Sequence, residues 1–210
     1  MTARPGPAGG ARSWSRRFAE RLRAIGAAVP PGPPAAGVTG LDVDSGAVTA
    51  RVRERQARYD VRIALAEFTP AQWSRAARAM GADPECRARL LDNELAPDTE
   101  DLLARAGLRL FPGRTADLVM ECSCPDWALP CAHLSAVLRS LADAFDADPY
   151  LVLAWRGRTR EELLKELPPA APRREPADSA LRLLGRPGIS VRGRNLTEVL
   201  GPAYEAFTGW

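Results

Sequence analysis

A chain of 210 residues, 46% hydrophobic and 26% charged, has the material for one folded domain with appendages and an ordinary buried core. Its formal net charge of +3 permits contact with a polyanion without demanding it. No uninterrupted apolar run approaches the ~20 residues of a membrane span, and the N-terminus lacks the apolar segment of a secretory signal, so a cytoplasmic protein with no membrane association is expected.

Residues 1–13 are rich in Gly, Pro and Ala and read as a disordered tail. A helix follows over Trp14 to Ala27, with Trp14, Phe18, Leu22 and Ile25 on one face. Pro30 to Pro34 breaks the pattern. Leu41 to Val43, Val48 to Arg53 and Tyr59 to Leu65 alternate with period 2 and predict three short strands, the first two joined at Ser45-Gly46. Thr69-Pro70 is an N-cap with proline at the first helical position, opening a helix that carries Trp73 and Met80. Asp83-Pro84 starts another helix through Leu95, and Asp98 caps a third that ends near Gly107. Asp117 to Glu121 has strand character. A long helix is expected from Ala132 to Asp146, with apolar residues at 134, 137, 138, 141 and 145. Shorter helices are expected over Tyr150–Trp155 and Thr159–Leu167. Residues 168–177 form a Pro-rich linker, and 178–210 a C-terminal tail with helices at Asp178–Leu184 and Asn195–Phe207. The fold class these elements imply is α+β: a small antiparallel sheet with helices on one side, in a domain spanning 14–167.

Three of the four cysteines and the only histidine fall within twelve residues: Cys122, Cys124, Cys131 and His133. In an extended chain residues i and i+2 share a face, so Cys122 and Cys124 can present two thiolates to one ion. Pro125 then stops the strand. Cys131 is placed in the loop just before the long helix, with His133 in its first turn, because i and i+2 diverge inside a helix. The six-residue loop between the pairs lets both halves meet. Four ligands in this order suit one structural, four-coordinate zinc ion that joins the last strand to the long helix. A disulfide within Cys-x-Cys would need distorted geometry. A Cys-His nucleophile would need an orienting partner and would compete with metal for the thiolate.

Cys86 lies far from the cluster and reads as a small, partly buried residue. Trp127, between the ligand pairs, is a candidate for stacking on a base, although shielding of the thiolates is the preferred reading. Asp126 is expected to accept a hydrogen bond in the turn after Pro125. Arg156, Arg158 and Arg160 follow the long helix closely and are the better candidates for phosphate contact. Arg51, Arg53, Arg55, Arg58 and Arg62 form the densest basic patch, but Glu54 and Asp60 interrupt it and a solvated face would look the same. No P-loop, no Gly-x-Ser-x-Gly and no second histidine is present, so no enzyme and no small-molecule substrate are expected.

The string Cys-Ser-Cys-Pro-Asp-Trp-Ala-Leu-Pro-Cys-Ala-His resembles the SWIM zinc finger, in particular that of bacterial SWIM-finger proteins often encoded beside Snf-type helicase-like ATPases. Leu108 to Pro112 and Asp148 to Arg158 resemble the family's flanking segments, so the resemblance covers about residues 14 to 166, with the finger at 122–133. It implies a non-enzymatic zinc module that binds nucleic acid, DNA foremost, as an accessory to a helicase-like ATPase. The alternative is a protein-interaction adaptor with the same structural zinc and no nucleic-acid contact.

Overall fold

The computed structural model describes residues 13–27, 29, 37–169, 190, 191, 194 and 195. The chain divides into two units, 1–169 and 170–210. The first holds α1 (Trp14–Ala24), β1 (Val38–Asp44), β2 (Ala47–Glu54), β3 (Ala57–Leu65), α2 (Pro70–Ala82), α3 (Pro84–Leu91), α4 (Thr99–Arg105), β4 (Leu118–Cys122), α5 (Ala132–Ala147), α6 (Leu151–Trp155) and α7 (Arg160–Glu166). Strands β1 to β4 form one antiparallel sheet in sequence order, so the protein is α+β as expected. Among the described residues no helix is long and apolar enough to cross a membrane.

Alternation of side chains fixes which face of the sheet is buried. Val48, Ala50 and Val52 of β2 and Val61, Ile63 and Leu65 of β3 point into the core, while Thr49, Arg51, Arg53, Asp60 and Arg62 point to solvent. Helix α5 packs across the inner face through its fully buried Leu134, Val137, Leu138 and Leu141. Helix α1 closes the other side of α5. Its Phe18 meets Phe111, Phe145 and Trp155 at ring-centroid distances of 5.2, 5.3 and 6.0 Å, making an aromatic centre beneath the sheet. Buried Glu100 takes Arg17 at 3.2 Å and Arg21 at 2.8 Å, which ties α4 to α1 and compensates its charge.

The caps explain most boundaries. Thr69 and Thr159 each make a full capping box, with Gln72 and Glu162, and Asp83 accepts from the Cys86 amide. Asp98 differs from expectation: its own backbone is already helical and its side chain makes no cap hydrogen bond. Helix α3 also stops at Leu91, short of Leu95. Asn93 adopts the left-handed region at φ 62°, which ends the helix. Leu95 instead lends its carbonyl to the Trp14 indole N–H at 2.8 Å.

In the second unit, Ser190–Val191 (β5) and Arg194–Asn195 (β6) pair antiparallel. The helix expected from Asn195 therefore does not begin there. The predicted tail over 1–12, the break at 30–34, linker residues 170–177 and the helical stretches 178–184 and 196–207 lie outside the described residues.

Candidate metal centre

The ligand atoms of Cys122, Cys124, Cys131 and His133 all lie within 4.8 Å of one another. A tetrahedral zinc ion with sulfur at about 2.3 Å sets sulfur–sulfur edges near 3.8 Å, so one ion fits between them with small inward adjustments. Each ligand arrives on a different piece of local structure. Cys122 ends β4 on the inner face, paired with Val61. The next residue fastens the turn to the sheet: the Ser123 amide donates to the Asp60 carbonyl at 3.0 Å and the Asp60 amide donates to Ser123 Oγ at 2.9 Å. Cys131 is the N-cap of α5 and its sulfur accepts from the Leu134 amide at 3.4 Å. His133 is the second residue of that helix. The placement of Cys131 before the helix and His133 in its first turn is as expected, and the positive end of α5 faces the thiolate cluster.

The imidazole has one committed and one open nitrogen. Its Nε2 lies 3.2 Å from Glu54 Oε2, while Nδ1 is buried without a hydrogen-bond partner. Nδ1 is thus the atom left for a metal, and Glu54 holds the opposite N–H, an arrangement that fixes tautomer and ring orientation in histidine–metal sites. Tyr59 packs on the same ring, centroids 4.3 Å apart. Neither Glu54 nor Tyr59 was singled out as a partner of the site from sequence. Burial pushes the Cys122 thiol up to about 12, whereas the neighbouring His133 imidazole pulls Cys124 down to about 7. Without a cation the Cys122 thiolate is therefore disfavoured, and a bound dication reverses that balance. The residues fit a single divalent metal.

Cys86 stands apart. Its sulfur is 4.0 Å from Thr99 Oγ1, and burial pushes its thiol up to about 11. It behaves as the small, half-buried side chain expected of it.

The structure places Trp127 and the arginines after α5 differently from expectation. Trp127 does not shield the thiolates: it is 97% exposed, and Leu129 beside it is 71% exposed. The Asp126 carboxylate accepts from the Ala128 amide at 3.1 Å, which shapes the loop as expected and leaves both apolar side chains outward. Arg156 is not a surface contact. It is 8% exposed, and its guanidinium donates to the carbonyls of Leu110 (2.7 Å), Ala66 and Arg109 while lying over the Phe68 ring. Arg158 pairs with Glu166 at 3.2 Å and covers Trp73. Arg160 donates to the Leu90 carbonyl and covers Tyr150. The segment after α5 is thus a brace for the core, and three arginines thought free for phosphate are engaged within it.

No family model and no solved structure matches the chain. Among curated proteins it is 39% identical over 208 residues to the uncharacterized protein Rv2102 of Mycobacterium tuberculosis, a match that spans 81% of this chain and 75% of the relative. Identity at that level over most of both lengths places the two in one family, and the chain belongs to the family of Rv2102.

Proposed function

We propose that the protein is a SWIM-type zinc-finger module, non-enzymatic, that holds one structural zinc ion and binds nucleic acid as an accessory to a helicase-like ATPase. The observation that carries the zinc reading is the buried, unpartnered Nδ1 of His133 converging with three cysteine sulfurs. Four protein ligands fill a tetrahedral shell and leave no position for a substrate, which is the arrangement of structural and not catalytic zinc. The nucleic-acid and ATPase parts rest on the resemblance of the finger string and its flanks.

Binding of the zinc-loaded chain to labelled single-stranded DNA, duplex DNA and RNA across a salt series tests the role. Affinity is expected to fall log-linearly with salt, as counterions displaced from phosphates require. Absence of binding at low salt would remove the nucleic-acid role.

One observation favours the adaptor reading. Trp127 and Leu129 project from a loop tethered at both ends by metal ligands, within a stretch, 115–138, that has no lysine or arginine but carries Asp117, Glu121 and Asp126. An exposed apolar knob suits a protein groove better than a phosphate backbone. In the adaptor case Trp127→Ala/Leu129→Ala abolishes nuclease-resistant co-purification with the ATPase, while zinc content stays at one per chain. Undiminished co-purification would sink it.

A further inference from the structure

The outer face of the sheet obeys a charge rule twice and breaks it once. Residues directly opposite each other on an antiparallel pair share a face, and unlike charges there are favourable while like charges are not. Arg51 stands opposite Asp60, with Nε to carboxylate at 3.5 Å. Arg62 stands opposite Glu121, at 3.6 Å. At the tip of the β2–β3 hairpin the register sets Arg53 opposite Arg58. Neither guanidinium has a hydrogen-bond or ion-pair partner among the described residues. The turn between them begins with Arg55 at φ 53°, a left-handed conformation that glycine or asparagine adopts at lower cost. The acid within this cluster, Glu54, faces the other way, toward the His133 imidazole. Three exposed arginines therefore sit at one hairpin tip, and the carboxylate between two of them, Glu54, is turned to the metal centre.

We infer that Arg53, Arg55 and Arg58 are the phosphate-contacting residues of this protein, binding the backbone of a nucleic acid. This rests on the nucleic-acid reading above and gives it a location different from the residues after α5. The outer face beside the tip carries no aromatic side chain among Thr49, Arg51, Arg53, Arg58, Asp60 and Arg62. With no aromatic platform there, contact is to phosphate and not to stacked bases. Local stability and sequence disagree at the tip in two ways, an opposed like-charge pair and a non-glycine left-handed residue, and such disagreement is characteristic of functional sites. Glu54 links the two functions of the hairpin: it orients the metal-binding histidine and, in doing so, exposes the uncompensated charge.

The test compares three zinc-loaded full-length proteins on a labelled 20-nucleotide single-stranded DNA: the natural chain, Arg53→Ala/Arg58→Ala, and Arg75→Ala/Arg78→Ala as a control of equal charge loss on the exposed side of α2. Removing two phosphate contacts is expected to make the slope of log affinity against log salt shallower by about 1.4, at roughly 0.7 per contact on a single strand. The control should keep the natural slope. The hairpin variant should also keep one zinc per chain and melt no lower than the natural protein, because the repulsion between opposed guanidiniums is relieved. Equal slopes in all three proteins would overturn the location and leave the nucleic-acid reading standing. A natural chain that does not bind would overturn both. Tighter binding of polyglutamate than of DNA at matched charge and salt would assign the tip to an acidic protein and overturn the proposal.

Discussion

Under the proposed zinc assignment, Cys131→Ser is expected to lose the metal and to melt about 8–16 °C below the natural protein. Serine is the informative replacement because Cys131 is the N-cap of α5, accepting from the Leu134 amide, and serine is itself a preferred N-cap. Helix initiation is preserved, so the loss reports the metal. At zinc concentrations a thousandfold above the dissociation constant, binding to the folded state alone is worth about 4 kcal/mol. For a chain of this size each kcal/mol corresponds to about 2–4 °C in melting temperature. The four ligands join β4, the loop and α5, and Glu54 and Tyr59 extend the connection to the β2–β3 hairpin. Chelation of the natural protein should therefore bring it to the melting temperature of the variant. Protons compete for the same thiolates, so the metal-linked stability declines as pH falls. Cys86→Ser, far from the cluster, should retain one zinc per chain and lose little stability. Equal zinc loss in both variants, or a natural protein indifferent to chelation, would show the ligand assignment to be wrong.

The candidate ligand cluster was legible in the sequence because metal-ligand spacing is a local property. Cys122 and Cys124 share a strand face by alternation, and the apolar period of α5 located Cys131 and His133 at its start. Glu54 was not legible, since it meets His133 across 79 residues of sequence and only the β2–β3 register turns it inward. The same register created the opposed Arg53–Arg58 pair, which a linear reading shows as one more charge in a mixed run. Trp127 was misjudged for a different reason. Within a six-residue loop closed at both ends, the direction of a side chain is set by individual backbone angles, and no periodicity encodes those. The helix ends were legible where a capping box spelled them, at Thr69 and Thr159, and not where Asn93 turned left-handed ahead of Leu95.

Arg156 shows where the default rule for charged side chains fails, and its replacement has the other large expected effect. Arginine is seldom buried, so a sequence reading places it in water. Here three carbonyls point at one place from segments that have no strand partner to satisfy them: Ala66 just past β3, and Arg109 and Leu110 in the loop before β4. A planar guanidinium with five donors can serve all three at once, and its face rests on Phe68 at 4.7 Å. The Arg156 carbonyl in turn accepts from the Phe68 amide at 3.0 Å and the Trp73 indole at 3.2 Å. Gly157 follows at φ 90°, a backbone conformation that residues with a side chain rarely adopt, so the turn favours glycine. Arg156→Ala strands three acceptors at about 1–3 kcal/mol apiece; with water reaching some of them, a loss of about 3–5 kcal/mol is expected. Arg156→Lys should fold and recover only part of this, because an ammonium lacks the fork that reaches all three. Burial pushes the guanidinium down to about 10, below its unfolded value. For a base, that shift disfavours folding while the group is charged and is relieved only as pH rises through 10. Between pH 5 and 9 it is charged in both states and adds no pH dependence to stability. Denaturant unfolding of both variants decides the role. Lowered midpoints, further for Arg156→Ala than for Arg156→Lys, are the expected result; unchanged midpoints in both would return Arg156 to the surface.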